Sequence, residues 1–195
     1  MVESVRYFFA VLTLGSLPFA LGYWYLIHPF IGFWRATGPW VAYAAMTLVL
    51  AFNLVAVWIW REPLFAVSYP VGPAHWIVAA VFYLTAAAVQ INVQRQLKFR
   101  ILAGLPELSP DNHAGELLDT GIYARIRHPR YVSVAFGMLA AAIFCNYQSL
   151  WIATVLMFPA LYGIVLLEER ELVDRFGEAY ADYARRVPRF IPRFG

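Results

Sequence analysis

Residues 131–167 read YVSVAFGMLAAAIFCNYQSLWIATVLMFPALYGIVLL, from Tyr131 to Leu167, with no acidic or basic side chain. The four residues Asn146, Tyr147, Gln148 and Ser149 break it into two apolar runs, Tyr131 to Cys145 and Leu150 to Leu167. So short a break predicts a tight helical hairpin. No period-two alternation supports strands, and an open sheet cannot satisfy its backbone in lipid.

Polar sequence brackets the hairpin. Before it stand Gly121, Tyr123, Arg125, Arg127, His128, Pro129, Arg130 and Tyr131; after it stand Glu168, Glu169, Arg170, Glu171 and a tail ending in Val187-Pro188-Arg189-Phe190-Ile191-Pro192. Proline favours the first helical position, and the residue before it resists helical geometry, so the first hairpin helix begins at Pro129 with His128 at its cap. The positive end of that helix, with three arginines nearby, makes an anion-binding corner. Pro129 to Cys145 rises about 25 Å and Leu150 to Glu168 returns about 27 Å at 1.5 Å per residue. His128 and the acidic pair therefore meet at one depth. The matching ligand carries both signs of charge, as S-adenosylmethionine does. A purely structural role fits the same residues: Glu168 or Glu169 paired with Arg125 or Arg127, and Glu171 with Arg175 at i,i+4. The residues alone leave both open.

The rest of the composition agrees with a membrane protein. The 195 residues are 62% hydrophobic and 14% charged, with mean hydropathy +0.60, whereas soluble domains are nearer a quarter charged. Three further runs, Val5 to Ile27, Pro39 to Trp60 and His75 to Gln96, are long enough to cross about 30 Å of hydrocarbon. The fold class is thus all-α and integral to the membrane, with about five transmembrane helices and a cytoplasmic tail. Of the 15 basic residues all but Arg6 and Arg61 fall on one face, which the positive-inside rule makes cytoplasmic, with the N-terminus opposite. Trp24, Trp40, Trp58, Trp60, Trp76 and Trp151 sit near span ends as interfacial anchors. The pI near 9.1 reflects topology and membrane lipids, not nucleic acid. Lone Cys145 is a core residue, and Gln90 and Gln94 share a packing face. Residues 98–120 form a polar loop carrying His113, with a short interfacial helix around Phe99 to Ala103. Two parts follow: residues 1–97 with three helices, and 98–195 as a catalytic module. No metal is expected, because His28, His75, His113 and His128 show no ligand spacing, and no G-x-G loop is present.

The pattern Gly121-x-Tyr123-x-x-x-Arg127-His128-Pro129-x-Tyr131, a short apolar hairpin, then Glu168-Glu169-x-x-Leu172-x-x-x-Phe176-Gly177-x-x-Tyr180-x-x-Tyr183-x-x-x-Val187-Pro188-x-x-x-Pro192 resembles the isoprenylcysteine carboxyl methyltransferase family and the related phospholipid methyltransferases. The resemblance covers 121–192. It implies a membrane methyltransferase that binds S-adenosylmethionine on the cytosolic side and takes a lipophilic substrate laterally from the bilayer. It also implies that Gly121, Tyr123, His128, Pro129, Tyr131, Glu168 and Glu169 contact or shape the cofactor pocket. Arg170 would steer an acidic substrate group, Glu168 would serve catalysis, and Phe190, Ile191 and Pro192 would fold back against the membrane. Ser133 or Val134 stands where relatives often have glycine. The acceptor is a prenylcysteine-like carboxylate, a lipid amine or a thiol; only the last two need a base. The alternatives are a sterol-reductase-like enzyme using NADPH and a non-catalytic membrane adaptor.

Overall fold

A computed structural model of the chain describes residues 2–96 and 117–193. Most of the loop expected over 98–120, with its interfacial helix and His113, lies outside the described residues. Among the described residues the elements are α1 (Val2–Ile27), a 3₁₀ turn (His28–Phe30), α2 (Ile31–Thr37), α3 (Pro39–Ile59), α4 (Arg61–Leu64), α5 (Pro73–Gln96), a 3₁₀ turn (Gly121–Ala124), α6 (Pro129–Cys145), α7 (Gln148–Phe176) and α8 (Glu178–Arg186). Among the described residues there is no strand, only one isolated bridge between Ser68 and Tyr147. The architecture is all-helical.

The helices α3, α5 and α7 are long and apolar enough to span a bilayer, while α6 is a shorter apolar helix. Their outer faces expose large side chains, among them Leu48, Phe52 and Val55 on α3 and Ile77, Val81 and Leu84 on α5. Apolar surface of that extent is stable against lipid, not water. Trp40, Trp58, Trp60 and Trp76 are exposed, as anchors should be. Trp24 corrects that expectation: it is buried in the core with Tyr131, Met157, Leu161 and Ile164.

The hairpin is the centre of the molecule. Asn146 closes α6 in the left-handed region (φ 53°), its N–H bonding the Ala142 carbonyl at 2.9 Å. Asparagine tolerates that conformation, which satisfies an orphan carbonyl of the last turn. The segment before α5 docks on this turn: Tyr69 N–H bonds Asn146 O at 2.9 Å, Gln148 N–H bonds Val67 O at 3.0 Å, and Asn146 Nδ2 donates to Pro70 O at 3.0 Å. Along its length α6 packs most closely on α5, where Ser133 Oγ donates to the Ala86 carbonyl at 2.8 Å. Ser133 thus ties helix to helix. On α7, Tyr25 Oη donates to the Ala160 carbonyl at 2.7 Å; a Cβ on Gly163 would collide with that hydroxyl.

Arg6 is the residue the sequence reading undervalued. It stands on α1 at 2% exposure and donates to the Cys145 carbonyl from Nε (3.0 Å) and Nη2 (2.7 Å), to Tyr69 O (2.9 Å) and to Glu3 (2.6 Å). A cation at the negative end of α6 complements its dipole. An ionisable side chain inside an apolar run is costly enough to signal such a role.

Candidate functional site

The corner is built at the other end of the hairpin. α6 begins at Pro129 with His128 at its cap (φ −122°, ψ 58°). His128 is 3% exposed. Its Nε2 donates to Glu169 Oε1 at 3.1 Å, and its Nδ1 lies 3.7 Å from Glu168 Oε2. The depth matching of His128 with the acidic pair is therefore realised.

The two glutamates differ. Glu169 is spent on cations: Arg127 Nη2 reaches Oε1 at 3.0 Å, and Arg189 grips the carboxylate with Nε at 3.0 and 3.1 Å and Nη2 at 2.7 Å. Charge-assisted, forked contacts of this kind fix geometry as well as supplying energy. The ion-pair alternative with Arg127 thus holds for Glu169. Glu168 keeps 34% of its side chain exposed, yet its Oε2 is buried with no hydrogen-bond donor. Glu171 does not take Arg175; it accepts from His28 Nδ1 at 2.8 Å and lies 3.5 Å from Arg35.

The tail completes the corner. Arg127 N–H bonds Pro188 O at 2.9 Å and His128 N–H bonds Arg189 O at 3.0 Å, so two successive residues before α6 are laced to the tail. Phe190 then packs beside the His128 and Tyr162 rings, at 6.1 and 6.5 Å between centroids. Phe190 thus packs onto the hairpin, while Ile191 is exposed. Arg189 falls at a position of the motif to which the sequence assigns no role. The signal was a basic residue directly after Val187-Pro188 facing an otherwise unmatched second glutamate.

Tyr123 and Gly121 shape the approach. Gly121 has φ +56°, and a Cβ there would run into the Gln96 side chain. With its amide oriented as its partners require, Gln96 donates to the Thr120 carbonyl at 3.0 Å and accepts from Ile122 N–H at 3.3 Å. Tyr183 Oη donates to the Tyr123 carbonyl at 2.7 Å. Burial pushes the Tyr123 phenol well above its ordinary range, with the Glu168 carboxylate adding to the shift. Tyr131 is buried beside His128, ring centroids 5.8 Å apart.

Two clefts adjoin. One, of about 430 Å³, carries charged and polar side chains, Arg127, Glu169, Arg170, Asp174, Tyr180 and Arg189, over an apolar floor. Arg170 is exposed there, away from direct bonding to His128. The other, also about 430 Å³, is apolar, between α6, α7 and the tail, with Tyr131, Phe136, Leu139, Phe158, Tyr162 and Phe190 in its wall. Tyr131 and Phe190 thus belong both to the apolar wall and to the surroundings of His128. Among the described residues no three His, Cys, Asp or Glu side chains gather as a metal set.

An all-helical membrane protein with a charged corner at the mouth of an apolar hairpin is the class that fold and site define. Residues 30–187 match the family described as protein of unknown function DUF1295, and the chain belongs to that family. Curated relatives include the nickel-cobalt-cadmium resistance protein NccN of Alcaligenes xylosoxydans xylosoxydans, 36% identical over 40% of this chain and 37% of its own length. The protein-S-isoprenylcysteine O-methyltransferase of Schizosaccharomyces pombe is 32% identical over 39% of this chain and 33% of its own. Methanethiol S-methyltransferase 2 of Bradyrhizobium diazoefficiens is 26% identical over 93% of this chain and 72% of its own. The Delta(14)-sterol reductase LBR of Gallus gallus is 28% identical over 96% of this chain but only 29% of its own. Several of these matches span only about a third of the relative. No solved structure matches. Relatives of the chain thus include membrane methyltransferases and a sterol reductase, and the protein is of the integral membrane type.

Proposed function

We propose that the chain is a membrane methyltransferase using S-adenosylmethionine, acting on a lipophilic acceptor that enters from the bilayer. The observation that carries this reading is Glu168 Oε2, a buried carboxylate oxygen without a donor, 3.7 Å from Nδ1 of His128, the residue that caps the start of α6. A buried acceptor left unmade costs about 1–3 kcal/mol. A ligand ammonium or ribose hydroxyl supplies the missing donor, while the start of α6 and its arginines suit the same ligand's carboxylate. The donor set fits the cofactor.

When bound, that cofactor supplies an electrophilic methyl group on a sulfonium. The protein's own part is positioning. Glu169, Arg127 and Arg189 immobilise His128, so the cap keeps one geometry. The apolar cleft suits the lipophilic part of the acceptor and excludes water, strengthening charge interactions at its mouth. A carboxylate acceptor arrives already ionised and needs only alignment. A thiol or amine must lose a proton, and His128 or Glu168 is the group within reach of the corner. Arg170, exposed in the cleft beside Glu169, attracts an acidic substrate group in this reading. Five spans, a cytoplasmic corner, an acceptor-selecting part over 1–97 and a catalytic module over 98–195 complete it.

A second reading, a reductase taking NADPH, is favoured by the sterol reductase match across 96% of the chain. Calorimetric titration of the purified full chain with S-adenosylmethionine and with NADPH separates the two. Heat from the first, lost in Glu168→Gln with folding intact, supports methyl transfer. Heat from NADPH alone, or unchanged cofactor affinity in Glu168→Gln, overturns it. Lipid mass spectrometry after incubation with labelled cofactor then identifies the acceptor.

A further inference from the structure

A separate cleft of about 390 Å³ lies between the His28–Phe30 turn, α2 and α7, with His28, Arg35, Arg170, Glu171, Asp174 and Arg175 in its wall. Three guanidiniums face two carboxylates, and one of these, Glu171, is already engaged by His28 (2.8 Å) and Arg35 (3.5 Å). Positive charge is in excess.

The His28 side chain is 4% exposed and its ring is stacked on Trp24, 5.2 Å between centroids and 22° between planes. It is fixed in place. Its Nδ1 is committed to Glu171, and its other ring nitrogen, Nε2, is buried with no hydrogen-bond partner; so is Arg175 Nη2. Glu171 Oε1 lacks a hydrogen bond too, but faces Arg35 at 3.5 Å. A buried guanidinium nitrogen without an acceptor, clustered with two further guanidiniums, calls for a ligand with several anionic oxygens, as a phosphate has.

The surroundings select the source of that phosphate. Ile31 and Leu167 also line the cleft and give it an apolar rim. A free anion would leave that apolar rim in water, whereas an amphiphile covers it. Basic pockets between membrane helices hold anionic headgroups by this combination. We propose that this cleft binds the phosphate of an anionic phospholipid, clamping the turn after α1 onto α7. Glu171 and Glu168 lie three residues apart on α7 and so share a face, which puts the lipid site one turn from the corner. Arg170 lines both this cleft and the cleft beside Glu169.

Native mass spectrometry of the delipidated full chain with phosphatidylglycerol, phosphatidylcholine of the same acyl chains, and inorganic phosphate tests this. The full chain should retain phosphatidylglycerol over phosphatidylcholine by about tenfold or more. Arg35→Gln and Arg175→Gln should each erase most of that preference without changing the melting temperature, Arg175→Lys should restore part of it, and Arg61→Gln should keep all of it. Equal retention of the two lipids, or a preference that survives both glutamine variants, overturns the proposal. Inorganic phosphate bound without any preference for phosphatidylglycerol assigns the cleft to a soluble anion and overturns the lipid.

Discussion

Arg6 on the first helix holds the Cys145 carbonyl at the far end of the hairpin, through Nε at 3.0 Å and Nη2 at 2.7 Å. This buried cation serves the end of α6 opposite the polar corner. Replacing it with leucine strands the Cys145 and Tyr69 carbonyls and should cost about 2 kcal/mol. A thermal melt in detergent checks this: the midpoint should fall, while cofactor affinity in the surviving folded fraction stays the same. An unchanged midpoint removes Arg6 from the account of stability.

Glu168 and Glu169 are neighbours in sequence but should separate in experiment. Glu169→Gln removes the partner of Arg127, His128 and Arg189 and should lower both the melting temperature and cofactor affinity. Glu168→Gln leaves that network whole and should lower affinity alone. Equal melting losses in the two variants would contradict the division of labour.

Gly121→Ala combines a left-handed φ of +56° with a collision against Gln96. The conformational part should cost about 1–2 kcal/mol. Gln96→Ala in the same chain should recover the collision but not the backbone part, so a double-mutant cycle in melting free energy should show coupling between the two positions. Strict additivity would mean that Gln96 does not occupy that space.

Tyr183 gives the pH signature. Burial pushes its phenol from 10.0 up to about 12, and its hydroxyl donates to the Tyr123 carbonyl. Folding favours the protonated form, so its contribution is complete below pH 10 and is lost as pH rises from 10 through about 12. Phenolate absorbance of the full chain against Tyr183→Phe should show one tyrosine titrating late. The variant should also be less stable by about 1 kcal/mol at neutral pH. A normal titration for that residue would refute the buried bond.

The sequence disclosed the hairpin because thirty-odd uncharged residues with a four-residue break have few other solutions in lipid. It disclosed the meeting of His128 with the acidic pair because helix rise is constant. What it hid depended on long-range contacts. Arg6 read as one of two basic residues on the non-cytoplasmic face, since nothing local says that Cys145 lies beside it. His28 looked like a stray histidine because Glu171 is 143 positions away. Trp24 matched the anchor pattern by position, yet tertiary packing drew it inward against Tyr131 and Ile164. The choice between Glu168 and Glu169 was equally invisible, for it rests on where Arg189 returns in the tail.

The lacing of Arg127 and His128 to Pro188 and Arg189 has a consequence for biosynthesis. The membrane helices can insert as they emerge, but the corner around His128 has no fixed shape until residue 189 has left the ribosome. A nascent chain therefore completes the corner around His128 last. A chain truncated before that point keeps its apolar helices but lacks this lacing.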